Sequence, residues 1–527
     1  MAPRPMLVAM IALATTAVTA GAVSAQSRPT TEAEAEAEAE TILQQTLRDI
    51  DAKARGVKPT TNRQLAQRLP AAAELPPPIA GALAGKWSAP CLLPDGVNPI
   101  AGAVMRDAKL WVMSGSGNSA GNFNAGLFEH GVFDPAACTY TRLPLTNDLF
   151  CSVLVRENTS LRSLGGTLAY DPFKGAPYDV RWLGGQLTAL PNMPIGLWYP
   201  SGFYNGKITV VSGINQNGSL NTKVLTWDPS RTGSKWSVSS YNFTTSTYPH
   251  ALPTAGGRLF FTEVGFGTSL NKVGFLSPAS GAFQAVPGLA NARRDQGASF
   301  FAGGSQGRRA VVVGGATTSS AYVDLYVAGP SYKAGPSLPL PIRYLNHSPT
   351  FDQRELLFGG EDTSGNPVTW AGLYRPLTNV ISTVNYSSFA HQYHTIGFTD
   401  LKGSVWMLGG NPQRGVVQSV IERFDPWYVG RSDRPVITSI PSSIKHNTPF
   451  SVGVQLGSGR TVKALRLYRM GAVTHQFHSA QGDFEAVRSG AQWSLTISAN
   501  LAVKGLYYAV AVDSSDVPSV AKIIQLG

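Results

Sequence analysis

Short apolar runs, each closed by glycine, recur along the chain at nearly even intervals. Leu110-Trp111-Val112-Met113-Ser114-Gly115, Leu161-Arg162-Ser163-Leu164-Gly165-Gly166 and Ile208-Thr209-Val210-Val211-Ser212-Gly213 are the first three. Arg258 to Gly265, Ala310 to Gly315, Glu355 to Gly360 and Val405 to Gly410 complete seven copies. Their last glycines fall at 115, 166, 213, 265, 315, 360 and 410, steps of 45 to 52 residues. Runs this short, bounded by turn signals, read as buried strands, and the glycines let the chain turn where a side chain would collide. Five copies add a strand end and a turn: Phe133-Asp134-Pro135, Tyr170-Asp171-Pro172, Trp227-Asp228-Pro229, Leu276-Ser277-Pro278 and Phe424-Asp425-Pro426.

A period near 50 residues with Gly-Gly after an apolar strand is the kelch signature. Seven copies predict a seven-bladed β-propeller over residues 86–430, closed so that few strand edges stay exposed. Beyond Pro426 the pattern changes to short strands, among them Phe450 to Leu456, Ala464 to Tyr468 and Tyr507 to Val512. Val452, Val454 and Leu456 alternate as a half-buried strand should. This predicts an immunoglobulin-like β-sandwich over residues 431–527. The fold class is therefore all-β, a seven-bladed kelch β-propeller followed by that sandwich.

The N-terminal part reads differently. Arg4, the apolar run from Met6 to Ala20 and Val23-Ser24-Ala25 predict a secretory signal over residues 1–25, cut before Gln26, so the protein is expected outside the cell. The run is too short for a membrane span. Residues 26–85 carry an alternating Glu-Ala stretch from Glu32 to Glu40, a short amphipathic helix through Ile42, Leu43, Leu47 and Ile50, and a Pro76-Pro77-Pro78 linker. No chemistry is read in them.

Composition agrees with a turn-rich β protein: 55 Gly and 36 Pro in 527 residues, with 14% charged. The net charge of +11 is scattered, its densest groups being Arg293-Arg294 and Arg308-Arg309. That excludes a nucleic-acid stripe and leaves a soluble, monomeric protein with at most a loose attraction to acidic polysaccharide. Asn158, Asn217, Asn242, Asn346 and Asn385 are glycan acceptors by sequence. Three cysteines, Cys91, Cys138 and Cys151, leave an odd thiol in an oxidising compartment, with three pairings open.

Candidate chemistry clusters before the repeat strands. Phe150-Cys151-Ser152, Trp198-Tyr199-Pro200 and Gln392-Tyr393-His394 place Cys151, Tyr199 and His394 at 15, 14 and 16 residues ahead of a closing glycine. They therefore occupy equivalent blade positions. Adjacent Tyr393 and His394 can face one metal only where the strand begins or bends. Val473-Thr474-His475-Gln476 adds an imidazole from the last domain. Taken singly, Cys151 is an ordinary buried thiol, Tyr199 core packing and His475 a surface histidine.

In this order and on this scaffold, the four motifs resemble the copper-radical oxidases, galactose oxidase and especially glyoxal oxidase; the likeness runs from Trp87 to Gly527. The resemblance implies a copper centre with Tyr199, Tyr393, His394 and His475 as ligands. Tyr199 would be joined to Cys151 by a thioether and carry a radical, and Tyr393 would take the substrate proton. It also implies a Cys91–Cys138 disulfide. Two imidazoles and two phenolates suit Cu(II), and a phenolate ionised by the metal can serve as general base. The expected reaction is oxidation of a small aldehyde or primary alcohol by dioxygen, with hydrogen peroxide released. His391 and His478 are expected to support the ligands.

Three departures stand out. Galactose oxidase stacks a tryptophan on its cross-linked tyrosine just past the third repeat glycine, where this chain has Ile214-Asn215-Gln216. Leu197 replaces an arginine before Trp-Tyr-Pro, and Val153 replaces a glycine after Phe-Cys-Ser. The resemblance to galactose oxidase would place its substrate-contacting arginine at Arg293 or Arg294. The rival reading is a non-catalytic kelch protein that binds carbohydrate or cell wall and kept only the fold.

Overall fold

A computed structural model describes residues 63–65 and 75–527, apart from 255, 268–269, 292–295, 303–308, 316–319, 327–330, 482–483, 490–493 and 499–502. The signal sequence, the Glu-Ala stretch, the helix through Ile42 and the pair Arg293-Arg294 lie outside the described residues. Among the described residues no helix is long and apolar enough to cross a membrane.

Seven four-stranded antiparallel blades form the body. Their innermost strands are Ala101–Val104, Val153–Glu157, Ser201–Tyr204, Ala251–Pro253, Ala298–Ala302, Asn346–Thr350 and Ile396–Thr399, blades 1 to 7 in order. Each apolar run found in the sequence is the second strand of its blade. Most of these strands are buried along most of their length, because each blade is covered on both faces by its neighbours. That is why they read as continuous apolar runs rather than alternating ones. Trp111 of blade 1 stacked on Trp182 of blade 2, centroids 5.7 Å apart, typifies the packing between blades.

Blade 7 is completed from the far end of the chain. Lys86–Leu92 pairs antiparallel with Val420–Asp425 as its outermost strand, which joins the ring's two ends. Cys91 on this strand is disulfide-bonded to Cys138 in a turn of blade 1, Cα atoms 5.6 Å apart. Cys151 is the free, buried thiol. The bridge closes a loop across 47 residues, which in the chain-entropy account is worth about 4 kcal/mol. Cys91→Ser is accordingly expected to lower the free energy of unfolding by that amount, read as a lower denaturant midpoint; an unchanged midpoint would mean the strand pairing alone holds the ring shut.

Arg63–Leu65, within the segment 26–85 and ahead of its proline-rich linker, pairs parallel with Val416–Gln418. Asn346, one of the five glycan acceptors, is 1% exposed and donates to the Tyr344 carbonyl, so it is closed to glycosylation.

The C-terminal region forms a two-layered β-sandwich around Leu465, Leu467, Leu495, Tyr507, Ala509 and Ile524. One hairpin leaves it. Ala472–Thr474 pairs antiparallel with Ala101–Ala103 of blade 1, and Phe477–Gln481 pairs parallel with Ser299–Phe301 of blade 5. The hairpin thus bridges the inner strands of two blades three positions apart around the ring. Its two turn residues, His475 and Gln476, both have positive φ, 48° and 61°. That is the turn a twisted two-residue hairpin prefers, here built without glycine or asparagine.

Candidate metal centre

The loop leading into each inner strand carries the chemistry. Cys151, Tyr199 and His394 each lie two residues before the strands of blades 2, 3 and 7. All three are left-handed, with φ of 57°, 61° and 65°. A side-chain-bearing residue pays roughly 1–2 kcal/mol for this conformation. It persists because the reversal aims the side chain at the channel axis instead of into the sheet. The repeat glycines make room for the reversal: a Cβ on Gly213 would lie 2.8 Å from the Trp198 carbonyl oxygen, and one on Gly410 3.0 Å from the Gln392 nitrogen.

Five expected residues meet here. The Tyr199 and Tyr393 hydroxyls are in hydrogen-bond contact. Cys151 Sγ is 4.0 Å from His475 Nε2, and the ligand atoms of Cys151, His394 and His475 lie within 4.8 Å of one another. The Tyr199 N–H donates to the Cys151 carbonyl at 3.1 Å, tying the two loops together. Tyr393 stacks on His394 with centroids 3.8 Å apart, and the two imidazoles are perpendicular at 4.8 Å. Tyr393 is 6% exposed and the other four 1% or less, so Tyr393 is the member nearest solvent.

Each imidazole is fixed through Nδ1. His394 Nδ1 bonds the Asn411 side-chain oxygen at 2.7 Å, and Asn411 in turn donates to the Val416 carbonyl. His475 Nδ1 bonds Thr474 Oγ1 at 2.6 Å, while that hydroxyl donates to the Ile100 carbonyl. Both Nδ1 atoms are then donors, so Nε2 carries the lone pair that a metal would use. The supporting partners are Asn411 and Thr474, not His391 and His478. His391 turns away to the Gly409 carbonyl and Glu422; His478 packs 5.9 Å from His347. Asn411 follows the Gly409-Gly410 pair directly, which is the sequence signal that could have found it.

Burial and the nearby Cys151 thiol hold the Tyr393 phenol well above its ordinary range. Burial, then Asp148, does the same for Cys151. Burial, then His394 and His250, holds His475 well below its ordinary range. These donors are packed in a buried cup, where a cation placed among them would favour the phenolates. Asp148, pushed up to about 7 by burial, accepts from the backbone N–H groups of Phe150 and Ser116 and so shapes the Cys151 loop.

The aromatic surroundings were only partly foreseen. Nothing aromatic stands at Ile214, yet Trp198 stacks on Tyr199 itself, centroids 3.7 Å apart and planes 20° apart, backed by Phe173 at 4.2 Å. Tyr248 and Tyr344, left-handed at the heads of blades 4 and 6, complete the cup. Tyr248 stacks on His475 at 4.1 Å and Tyr344 packs on Tyr393 at 4.8 Å.

Comparison with known proteins bears on the scaffold. Residues 434–526 match the family model of the galactose oxidase-like early set domain. No curated protein matches the chain by sequence. A solved structure described as a novel fungal alcohol oxidase with catalytic diversity among the AA5 family, in complex with copper, superposes with a TM-score of 0.71. The two are 16% identical over 84% of this chain and 99% of the other. The chain therefore has the galactose oxidase-like fold, all-β with its early set domain at the C-terminus.

Proposed function

We propose that this protein is a secreted copper-radical oxidase that oxidises small aldehydes, of the glyoxal or methylglyoxal type, or primary alcohols, passing the electrons to dioxygen. The observation that carries the reading is the meeting of Tyr199, Tyr393, His394, His475 and Cys151 at one buried point of the hub. Two imidazole Nε2 atoms and two phenol oxygens fit Cu(II); Tyr199, Tyr393, His394 and His475 would hold it. Bound copper would supply a one-electron acceptor and a positive charge that lowers the phenol pKa values.

The chain's own residues divide the rest. Cys151 is consumed by a thioether to the Tyr199 ring: the S–H and one ring C–H are lost, and dioxygen accepts those two electrons and two protons as hydrogen peroxide. Sulfur on the ring spreads an unpaired electron and eases its formation, and Trp198 stacked above shields it from water. Tyr393, the ligand nearest solvent, takes the substrate's hydroxyl proton. Each turnover removes two electrons and two protons from the alcohol or hydrated aldehyde, and dioxygen leaves as peroxide. Burial of the centre favours small substrates. Secretion is proposed from the Met6 to Ala20 run and the small residues ending at Ala25.

The test is a peroxide-coupled assay of the copper-loaded protein over methylglyoxal, glyoxal, galactose and benzyl alcohol. Peroxide is expected from at least one, together with a mobility shift on denaturing gels that Cys151→Ala removes. Copper bound with no peroxide from any substrate would leave only a binding scaffold.

A further inference from the structure

At one register opposite the inner strand, six blades carry an apolar or arginine side chain: Trp111, Arg162, Phe260, Val311, Leu356 and Trp406. Their partners across on the third strand are Val132, Arg181, Phe275, Leu325, Leu373 and Arg423. Blade 3 alone has Thr209 opposite Thr226, and the rung continues to Ser237. A cleft of about 640 Å³ opens between this face and the Gly256–Leu259 edge of blade 4. That is well inside the roughly 300–1,000 Å³ range of sites that enclose small ligands.

The cleft lies at the end of the ring away from the metal centre. Its turn residues Asn205 and Lys207, and Gly257 and Arg258, follow the inner strands whose heads carry Tyr199 and Tyr248. Lys207, Arg231 and Arg258 rim it, against one carboxylate, Asp228. Asp228 pairs with Lys207 at 2.7 Å. Among the described residues no carboxylate pairs with Arg231 or Arg258. Arg258 is held in place over the Phe275 ring at 4.5 Å while donating to Gln284 at 2.9 Å.

We infer that this cleft binds an acidic polysaccharide, a chain of sugars bearing carboxylates. Two guanidinium groups that no described carboxylate pairs with suit carboxylates, which they grip through paired N–H donors. The floor of threonine and serine hydroxyls suits sugar hydroxyls, and the net charge of +11 draws a polyanion toward the protein. The inference goes beyond the oxidase reading and is independent of it: the cleft would anchor the protein to a polymer and leave the metal centre facing away.

The experiment is calorimetric titration of the whole protein with a galacturonate hexamer, alongside its fully methyl-esterified form. Saturable binding to the acid form is expected, weakening with added salt and much weaker for the ester. Arg231→Ala and Arg258→Ala should each weaken it about tenfold, the loss of one charge-assisted hydrogen bond. Thr209→Trp, which restores the large residue of blades 1 and 7, should fill the cleft and abolish binding with peroxide production unchanged. The two exposed arginine variants carry the test should Thr209→Trp not fold. No binding of the acid form, equal binding of the ester, or unaltered binding by the arginine variants overturns the proposal.

Discussion

Tyr199→Phe, loaded with copper, is expected to produce no measurable peroxide, a loss on the order of 10³-fold or more, as when one member of an interdependent catalytic set is removed. The substitution is close to isosteric. Phenylalanine keeps the ring that stacks on Trp198 at 3.7 Å and packs against Tyr248 at 4.4 Å, so the fold and the Cys151 loop should survive. What goes is one oxygen: the phenol in contact with Tyr393, which the proposed chemistry uses both to bind the metal and to hold the unpaired electron. Copper should still bind through His394 and His475, whose Nδ1 anchors on Asn411 and Thr474 are untouched. Tyr393→Phe tests a different role. Loss of a general base costs about 10²–10⁴-fold, and the Cys151-dependent gel shift should remain because Cys151 and Tyr199 are intact. Retained copper with peroxide output within about tenfold of wild type in Tyr199→Phe would remove the radical site from this residue.

What the chain showed in advance, and what it hid, follows from range. The blade repeat is a local pattern: each strand and its glycine lie within about six residues, so period and copy number could be read directly. Cys151, Tyr199 and His394 inherit their convergence from that repeat, because equal places in a closed ring point to one axis. Tyr248 and Tyr344 occupy the same place in blades 4 and 6 but belong to no motif, and tyrosine in a β protein ordinarily reads as core. The left-handed backbone at these loop heads was equally hidden, since it falls on residues that seldom adopt it. His475 was the least legible. Its arrival at the hub depends on a hairpin pairing with blade 1 on one side and blade 5 on the other, contacts hundreds of residues away in sequence. The His475-Gln476 turn has neither of the residues that usually mark such a hairpin. Supporting residues followed the same rule: Asn411, next to a repeat glycine pair, was findable, whereas Thr474 serves His475 only because the Ile100 carbonyl takes its proton.

Acid is expected to unfold the protein well before its carboxylates alone would, because three further histidines are buried along the channel. His250, His347 and His478 are 1%, 3% and 8% exposed, and burial pushes each down to about 3. His250 Nδ1 meets Ser299 Oγ at 2.9 Å, and a backbone hydrogen bond to His475 only partly opposes burial and the nearby His347. His478 faces His347 and Arg156, both of which disfavour a second positive charge. His347 Nδ1 lies 3.1 Å from Glu355, and a backbone hydrogen bond to Ser299 only partly opposes the effect of burial. The unfolded chain takes up these protons near 6.5 and the folded one only near 3, so between those limits the unfolded state binds more protons. Stability is therefore complete above about 6.5 and falls as pH drops toward 3. At about pH 5 each histidine has cost about 2 kcal/mol, and three together about 6 kcal/mol, part of which Asp148 and Glu129 return, since burial pushes both up to about 7 and the folded state protonates them first. Melting temperature followed from pH 7.5 down to 4.5, with a chelator present so that metal loss adds nothing, should drop steeply from about pH 6.5. His250→Gln and His478→Gln should each flatten the slope by close to one proton, provided the variant folds at neutral pH. Slopes in both variants equal to that of the unaltered protein would mean that these rings take up protons in the folded channel as readily as in water, and their burial would then contribute nothing to acid sensitivity.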